Sequence, residues 1–247
     1  TTRLRVGTLV FANDFRHPVM LAKEAATLDV LSNGRLEFGI GTGWMAQDYR
    51  AAGLTLDEPR VRLQRLREGL AVLKGAWTGE PFSYKGEHYS VHDLVQEPRP
   101  LQQPHPPILI GGGGPVMLRL AAAEADIVNL TMRTRPDGSG PDLEDGGAAS
   151  FIRKIALLRE AAGPRFDRME IGTSILSVGD SAPSRPGWSH ADTSRQGGTP
   201  QVLTGTLPEM TDKLRHWRDD HGLSYYVLHN ETDLDAFTPI VEKLAGS

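Results

Sequence analysis

The feature that most constrains the fold is a helix, a tight turn and a buried strand that follow one another within residues 22–44 (AKEAATLDVLSNGRLEFGIGTGW). Apolar residues at helical spacing form one predicted face, which consists of Leu21, Ala22, Ala25, Ala26 and Leu28. Asn33 and Gly34 both tolerate positive φ, which ends a helix and turns the chain. Strand 35–40 alternates large apolar residues with Glu37 and Gly39, and it ends in a Gly-Thr-Gly loop. Parallel strands deliver their chain to a ligand crevice at such a point, although a plain tight turn has the same residues.

Strands and helices alternate along the rest of the chain. The six predicted strands are residues 4–11, 35–40, 106–110, 127–130, 169–178 and 224–229. The helices that follow them begin at His17-Pro18 and span about 60–77, 115–125, 148–162, 207–221 and 233–244. Residues 82–91 suggest a small hairpin on one connection. This order predicts a parallel sheet with helices outside it.

Composition excludes several functional classes. The 247 residues are 39% hydrophobic and carry a net charge of −4, so no basic surface indicates nucleic-acid binding. No apolar run reaches the length of a membrane span, and no signal-peptide pattern is present at the start. The absence of cysteine excludes disulfides, thiolate nucleophiles and zinc–thiolate sites. The eight histidines show no metal-ligand spacing, so we predict no metal site and a cytoplasmic protein.

Three surface features carry weaker predictions. Residues 131–147 and 179–200 are long loops rich in Gly, Pro and polar residues, and 180–198 is expected to be mobile. Four arginines on the helix at 60–77 are interpreted as a solvated face, namely Arg60, Arg62, Arg65 and Arg67. Gly205-Thr206 before the helix at 207–221 is interpreted as an ordinary N-cap rather than an anion site.

Four consecutive glycines follow the strand at 106–110. Gly111 to Gly114 stand directly before a helix, so their N–H groups and the helix dipole could bind an anion. A plain tight turn is the alternative. No Lys-Ser/Thr pair follows, so this is not a Walker loop, and the surrounding chain does not match a dinucleotide-binding sheet.

Three stretches resemble the bacterial-luciferase-like flavin and deazaflavin oxidoreductases, and within them the branch that uses coenzyme F420. They are RHPVMLAKEAATLDVLSNGRLEFGIGTGW, PPILIGGGGPVMLRLAAAEADIVNL and VLTGTLPEMTDKLRHWRDDHGLSYYVL. The resemblance implies an eight-stranded (β/α) TIM barrel in which residues 4–11 are the third strand. We therefore predict a single α/β domain over 1–247 that lacks the first two βα units, or a second chain that covers the gap. An open sheet edge would otherwise be exposed.

The same resemblance implies three turns around the cofactor. A bulge at Thr8, Leu9 and Val10 would carry a non-proline cis peptide between Leu9 and Val10. The loop at 41–47 would lie along the ribityl chain and phosphate, and the glycine turn would bind the phosphate. The cofactor-binding residues implied are Thr8, Leu9, Val10, Thr42, Gly43, Trp44, Gln47, Gly111, Gly112, Gly113, Gly114, Pro115 and Val116.

Two positions depart from the deazaflavin pattern. Where deazaflavin enzymes with a GTGE-type loop have Glu and Asn, this chain has Trp44 and Gln47, so the polar contacts of that loop differ. Trp44 would stack on the cofactor ring, shape the substrate pocket, or pack in the core. In the deazaflavin sugar-phosphate dehydrogenases of the family, the catalytic histidine lies on the second strand, which this chain lacks, and His17 is interpreted as structural. The catalytic residue is left unassigned.

These features predict an oxidoreductase that moves hydride between coenzyme F420 and a small organic substrate. An FMN-dependent monooxygenase on the same fold is the alternative enzyme. A non-catalytic cofactor-binding protein or an inactive fragment is the alternative from another class. The resemblance implies a homodimer, although the sequence contains no direct interface signal, and no nucleic-acid or membrane partner is predicted.

Overall fold

A computed structural model describes residues 1–179 and 198–246 of the chain. Most of the predicted loop at 179–200 therefore lies outside the described residues. The described chain divides into two compact units. The first unit is Thr1–Gly111, Glu124–Asp126 and Pro136–Gly138, and the second is Gly112–Ala123, Ile127–Arg135 and Ser139–Ser247. Over the same described ranges, no helix combines the length and apolarity needed to cross a membrane.

The first unit is built around a buried parallel strand. Its elements are β1 (Val6–Gly7), β2 (Phe11–Ala12), α1 (Pro18–Ser32), β3 (Leu36–Gly41), α2 (Ala46–Ala51), α3 (Pro59–Trp77), β4 (Phe82–Lys85), β5 (Ser90–Leu94) and β6 (Ile108–Gly112). Strands β1, β2 and β6 each pair with β3 in parallel. Strands β4 and β5 form the predicted antiparallel hairpin.

The predicted strand at 4–11 is in fact two short strands. Val6 pairs with Leu36 and Phe11 pairs with Ile40, but the residues between β1 and β2 leave the ladder. The Thr8 hydroxyl replaces the missing backbone bonds, because Oγ1 donates to the Gly39 carbonyl at 2.9 Å and accepts from the Gly39 N–H at 3.1 Å. The side chain of a strand residue can thus form the hydrogen bonds that the N–H and carbonyl of the neighbouring strand need where the backbone turns away.

Helix α1 begins and ends where the sequence predicts. His17 is its N-cap and accepts a hydrogen bond on Nδ1 from Val19 N at 3.3 Å, which confirms the structural interpretation. Asn33 and Gly34 have φ of 59° and 73°. The prediction that Leu28 faces inward is wrong, because it is 45% exposed. Asp29 is buried instead, and its carboxylate accepts from the backbone and the side chain of Gln102.

Strand β3 is buried along its whole length on both faces. Large apolar residues do alternate with Glu37 and Gly39, but both sets are buried, as expected for a strand covered on both sides. Glu37 is buried in an ion pair with Arg5 at 2.7 Å. On the side of α1 and α3, Phe38 packs edge-on against Trp77, whose Nε1 donates to the Ala22 carbonyl at 2.9 Å.

The second unit contains further parallel strands. Its elements are α4 (Pro115–Glu124), β7 (Ile127–Leu130), α5 (Ala148–Ala162), β8 (Glu170–Ile175), β9 (Ser177–Val178), β10 (Val202–Leu203), α6 (Leu207–His221), β11 (Leu223–Leu228) and α7 (Leu234–Leu244). Strand β8 pairs in parallel with β7 and with β11. Helices α6 and α7 cover an apolar cluster of Ile175, Val178, Leu203, Met210, Leu214 and Ile240.

Most predicted elements are confirmed, and the α/β class is correct. If β1 and β2 count as one position, all six predicted parallel strands are present among the described residues. Strand 169–178 is divided into β8 and β9, and β9 pairs with β10, which was not predicted. A two-residue strand carries too little periodicity to be recognised. Helix α6 begins with a capping box, in which Glu209 accepts from Thr206 N at 2.7 Å, so the N-cap interpretation is confirmed.

Candidate functional site

The break between β1 and β2 carries the first group of predicted site residues. The peptide bond between Leu9 and Val10 is cis, at the position that the family resemblance implies. Leu9 is exposed, whereas Thr8 and Val10 are partly buried. Gly39 is required beneath this segment, because a Cβ there would lie 1.7 Å from the Thr8 carbonyl oxygen. The segment and β3 are therefore fitted to each other at backbone level.

The Gly-Thr-Gly loop after β3 packs against a buried tyrosine, Tyr49. Gly43 has φ +72°, and a Cβ on it would lie 2.3 Å from the Tyr49 hydroxyl oxygen. That hydroxyl lies 3.0 Å from both the Thr42 carbonyl oxygen and an Asp14 carboxylate oxygen. Burial and the negative charge of Asp14 raise the pKa of Tyr49, so the hydroxyl keeps its proton. Glycine at 43 thus gives the loop the room to lie on Tyr49.

Two arginines of α3 complete this support, which contradicts the prediction that all four arginines form a solvated face. Arg62 is buried, and it donates to the carbonyl oxygens of Gly43 and Asp57. Arg65 bridges the carboxylates of Asp14, at 2.9 Å, and Asp57. Arg60 and Arg67 are exposed as predicted.

The sequence contains the signal for this arrangement. Arg62 stands one turn before Leu66 and two turns before Leu70, so it falls on the apolar face of α3. A guanidinium on that buried face needs hydrogen-bond acceptors. The free groups of a helix's first turn are N–H donors, so the acceptors must come from outside the helix. The carbonyls of the loop supply them.

Replacing Arg62 with methionine is expected to lower the free energy of unfolding by about 2–3 kcal/mol, because buried carbonyls lose charged donors. Urea unfolding monitored by circular dichroism measures this loss. Arg60→Met, an exposed change on the same helix, is the matched control and should stay near the wild-type value. Equal unfolding midpoints for the two variants would contradict the assigned role of Arg62.

Trp44 and Gln47 lie beyond the glycines. Trp44 is partly buried, in contrast to the fully buried Trp77, so it is not an ordinary core tryptophan. Gln47 is exposed in the first turn of α2, a helix that was not predicted. The loop is anchored at its far end, where Ala46 N donates to the Gly138 carbonyl at 3.2 Å. The roles of these two side chains toward a cofactor stay predictions.

The four-glycine turn has two parts. Gly111 belongs to the first unit and lies in β6. In the second unit, Gly112 accepts a hydrogen bond from Thr131 N at 3.1 Å, and a Cβ on Gly113 would lie 2.1 Å from the Thr131 carbonyl oxygen. Gly114 has open space around its Cα.

Helix α4 starts directly after the glycines. Pro115 occupies an early position where a missing N–H costs no helical bond, and Val116 is exposed beside it. The first N–H groups of a helix have no partners within the helix, and they point toward its N-terminal end. A turn without side chains followed by this helix end has the chemistry to receive a phosphate. The residues therefore fit the phosphate group of a flavin or deazaflavin.

A family model described as luciferase-like monooxygenase matches residues 1–181. The chain belongs to the luciferase-like monooxygenase family. That match includes the break at Thr8–Val10, the glycine loop after β3 and the four-glycine turn.

Relatives of this luciferase-like chain use two kinds of cofactor. It is 39% identical over 144 residues to an F420-dependent glucose-6-phosphate dehydrogenase of Kineococcus radiotolerans, which covers 58% of this chain and 40% of the relative. It is 36% identical over 126 residues to an FMNH₂-dependent dimethylsulfone monooxygenase of Pseudomonas putida, which covers 51% of this chain and 34% of the relative. The chain thus spans less than half the length of these relatives.

Solved structures share the fold. The coenzyme F420-dependent tetrahydromethanopterin reductase of Methanopyrus kandleri matches 92% of this chain and 79% of its own with a TM-score of 0.69 and 17% sequence identity. At that identity the likeness establishes the luciferase-like barrel type of fold and nothing about the ligand.

Proposed function

We propose that this luciferase-like chain forms the cofactor-binding part of an oxidoreductase that moves hydride between coenzyme F420 and a small organic substrate. The observation that carries the proposal is the four-glycine turn before α4, where a Cβ on Gly114 would meet nothing within 4 Å. The first N–H groups of α4 have no partners within the helix and are the donors offered to a phosphate. The relative from Kineococcus, which is named as F420-dependent, supports the choice of cofactor.

In this proposal each part of the site has a separate task. The turn at Gly111 to Val116 holds the phosphate through backbone N–H groups. Thr42 to Gln47 follow the ribityl chain, and Thr8 to Val10 lie against the ring. The bound deazaflavin supplies or accepts the hydride, while the protein orients it toward the substrate.

FMN-dependent monooxygenation is the second candidate. It is favoured by the relative from Pseudomonas, which is named as FMNH₂-dependent, and by Trp44 and Gln47, which depart from the deazaflavin pattern. The same phosphate turn would serve FMN.

Titration of the purified chain with F420 and, separately, with FMN tests the proposal. We expect F420 fluorescence to be quenched on binding, and we expect Gly113→Ala to weaken binding about tenfold, as for the loss of one charged hydrogen bond. Gly140→Ala is the matched control, because a Cβ at Gly140 meets nothing within 4 Å.

The outcomes separate the candidates. Binding of FMN alone would replace the F420 proposal by the monooxygenase. Binding of neither would favour an inactive or non-catalytic chain. Binding of F420 without turnover across unsaturated carbonyl and alcohol substrates would favour a non-catalytic cofactor-binding protein.

A further inference from the structure

A buried ammonium group contacts Thr131, the residue that packs against Gly112 and Gly113 of the four-glycine turn. Lys154 on α5 is only 5% exposed, and its Nζ donates to the Thr131 carbonyl oxygen at 2.9 Å. The same Nζ lies 2.6 Å from an Asp145 carboxylate oxygen and 3.2 Å from the Asp145 carbonyl oxygen. A lysine this deeply buried is unusual unless it is paired.

Thr131 is the residue that connects this ammonium to the turn. Its N–H donates to the Gly112 carbonyl, and its own carbonyl oxygen is the nearest of the three backbone atoms that leave no space for a side chain on Gly113. Lys154 therefore holds the carbonyl against which Gly113 packs. If that carbonyl rotated away, the backbone of Gly113 would lose its nearest contact and would become less fixed.

Asp145 is in turn fixed by its neighbours. Ser150 Oγ donates to one carboxylate oxygen at 2.5 Å, and Arg133 N donates to the other at 2.7 Å. Arg133 also forms an ion pair with Asp142 at 2.9 Å. Burial alone would raise the pKa of Asp145, but the hydrogen bonds from Lys154, Ser150 and the Arg133 backbone lower it. The ammonium is consequently held at a defined position.

We infer that Lys154 is a positioning residue for the cofactor's phosphate, acting through Thr131 on the backbone of Gly112 and Gly113. The inference rests on the proposed function of the turn. A turn that is fixed before the ligand arrives loses less conformational freedom on binding, so phosphate affinity depends on what holds the backbone. The sequence pattern predicts α5 only as a helix outside the sheet and contains no signal for this role of Lys154.

Comparison of phosphorylated with phosphate-free cofactors tests this inference. FMN is paired with riboflavin, and F420 with its phosphate-free deazaflavin alcohol. We expect Lys154→Met to reduce the affinity ratio of phosphorylated to phosphate-free form about tenfold, which is the loss of one charge-assisted hydrogen bond. The affinity for the phosphate-free form should change less than about twofold, because that form makes no contact with the turn.

Lys213→Met is the matched control. Lys213 is a partly buried lysine of the second unit that donates to a backbone carbonyl, Val202 O, at 2.7 Å, and burial lowers its pKa as it does that of Lys154. We expect Lys213→Met to have the same affinity ratio of phosphorylated to phosphate-free cofactor as the wild type. In the absence of cofactor, amide hydrogen exchange at Gly113 and Gly114 should accelerate in Lys154→Met and not in Lys213→Met.

Each outcome bears on one proposal. If Lys154→Met, in which Asp145 loses its buried ammonium partner, fails to fold, Lys154→Met with Asp145→Asn removes both charges and is measured instead. A folded variant that keeps the wild-type ratio overturns the positioning role. A wild-type chain that binds F420 or FMN without preference for the phosphate overturns it too, but leaves the cofactor assignment standing. A wild-type chain that binds none of the four compounds refutes the proposed function itself.

Discussion

Replacing Gly39 with alanine is expected to lower the free energy of unfolding by about 3 kcal/mol, at the upper end of the cost of overpacking. The new methyl group would lie 1.7 Å from the Thr8 carbonyl oxygen and 3.0 Å from Val10 Cγ1. Strand β3 has no space to yield, because it is buried on both faces. Urea unfolding gives the loss in stability, and the cofactor titration should show weaker binding in the fraction that remains folded.

The control for Gly39→Ala is Gly140→Ala, which removes the same backbone freedom without a steric conflict. We expect Gly140→Ala to stay within about 1 kcal/mol of the wild type, with either sign. A Gly39→Ala chain as stable as this control would show that the segment at Thr8–Val10 is not fitted to β3.

Replacing Glu68 with glutamine is expected to cost about 2–3 kcal/mol of stability at neutral pH, because backbone donors lose a charged acceptor. Glu68 is 3% exposed and accepts hydrogen bonds from the N–H groups of Glu87, His88 and Tyr89, at 3.0, 2.9 and 3.1 Å. Its carboxylate thus anchors the tip of the β4–β5 hairpin to α3. The exposed Glu87→Gln is the matched control, since it changes the same net charge in the same turn.

The pH dependence of this effect has a definite sign. Burial alone would raise the pKa of Glu68, but the three backbone N–H groups and Gln64 lower it below the ordinary value of 4.5. A carboxylate whose pKa is lower in the folded state stabilises the fold above its unfolded pKa and loses that contribution as pH falls through its folded pKa. The difference between wild type and Glu68→Gln should therefore be constant above about pH 5 and shrink on acidification. A difference that grows below pH 4.5 would contradict the assignment of Glu68 as the anchoring carboxylate.

Local patterns predict much of this fold. Positive φ at Asn33 and Gly34, the cap at His17 and the helix that starts at Pro115 all follow from residue types and their spacing. These are short-range effects, in which the physical cause and the residue lie within a few positions of each other.

The errors concern partners that are distant in sequence. Leu28 is exposed, whereas its neighbour Asp29 is buried and accepts a hydrogen bond from Gln102, 73 positions further on. Arg62 is buried because the carbonyl of Gly43, 19 positions earlier, accepts from it. The break at Thr8 depends on Gly39, 31 positions away. The spacing of Arg62 indicates that it is buried, but local patterns contain no information on which distant residue it pairs with. The glycines of the candidate site can therefore be predicted from the sequence, whereas the partners that support them cannot.

The hairpin of β4 and β5 forms a two-stranded sheet of its own, and its tip is fixed to α3 by one carboxylate. This arrangement makes the hairpin a module, which can change in evolution or by engineering independently of the parallel strands. The arms of such a hairpin can lengthen, shorten or accept a foreign sequence without a change of register in the parallel strands, provided that the tip keeps its three amides in place for Glu68.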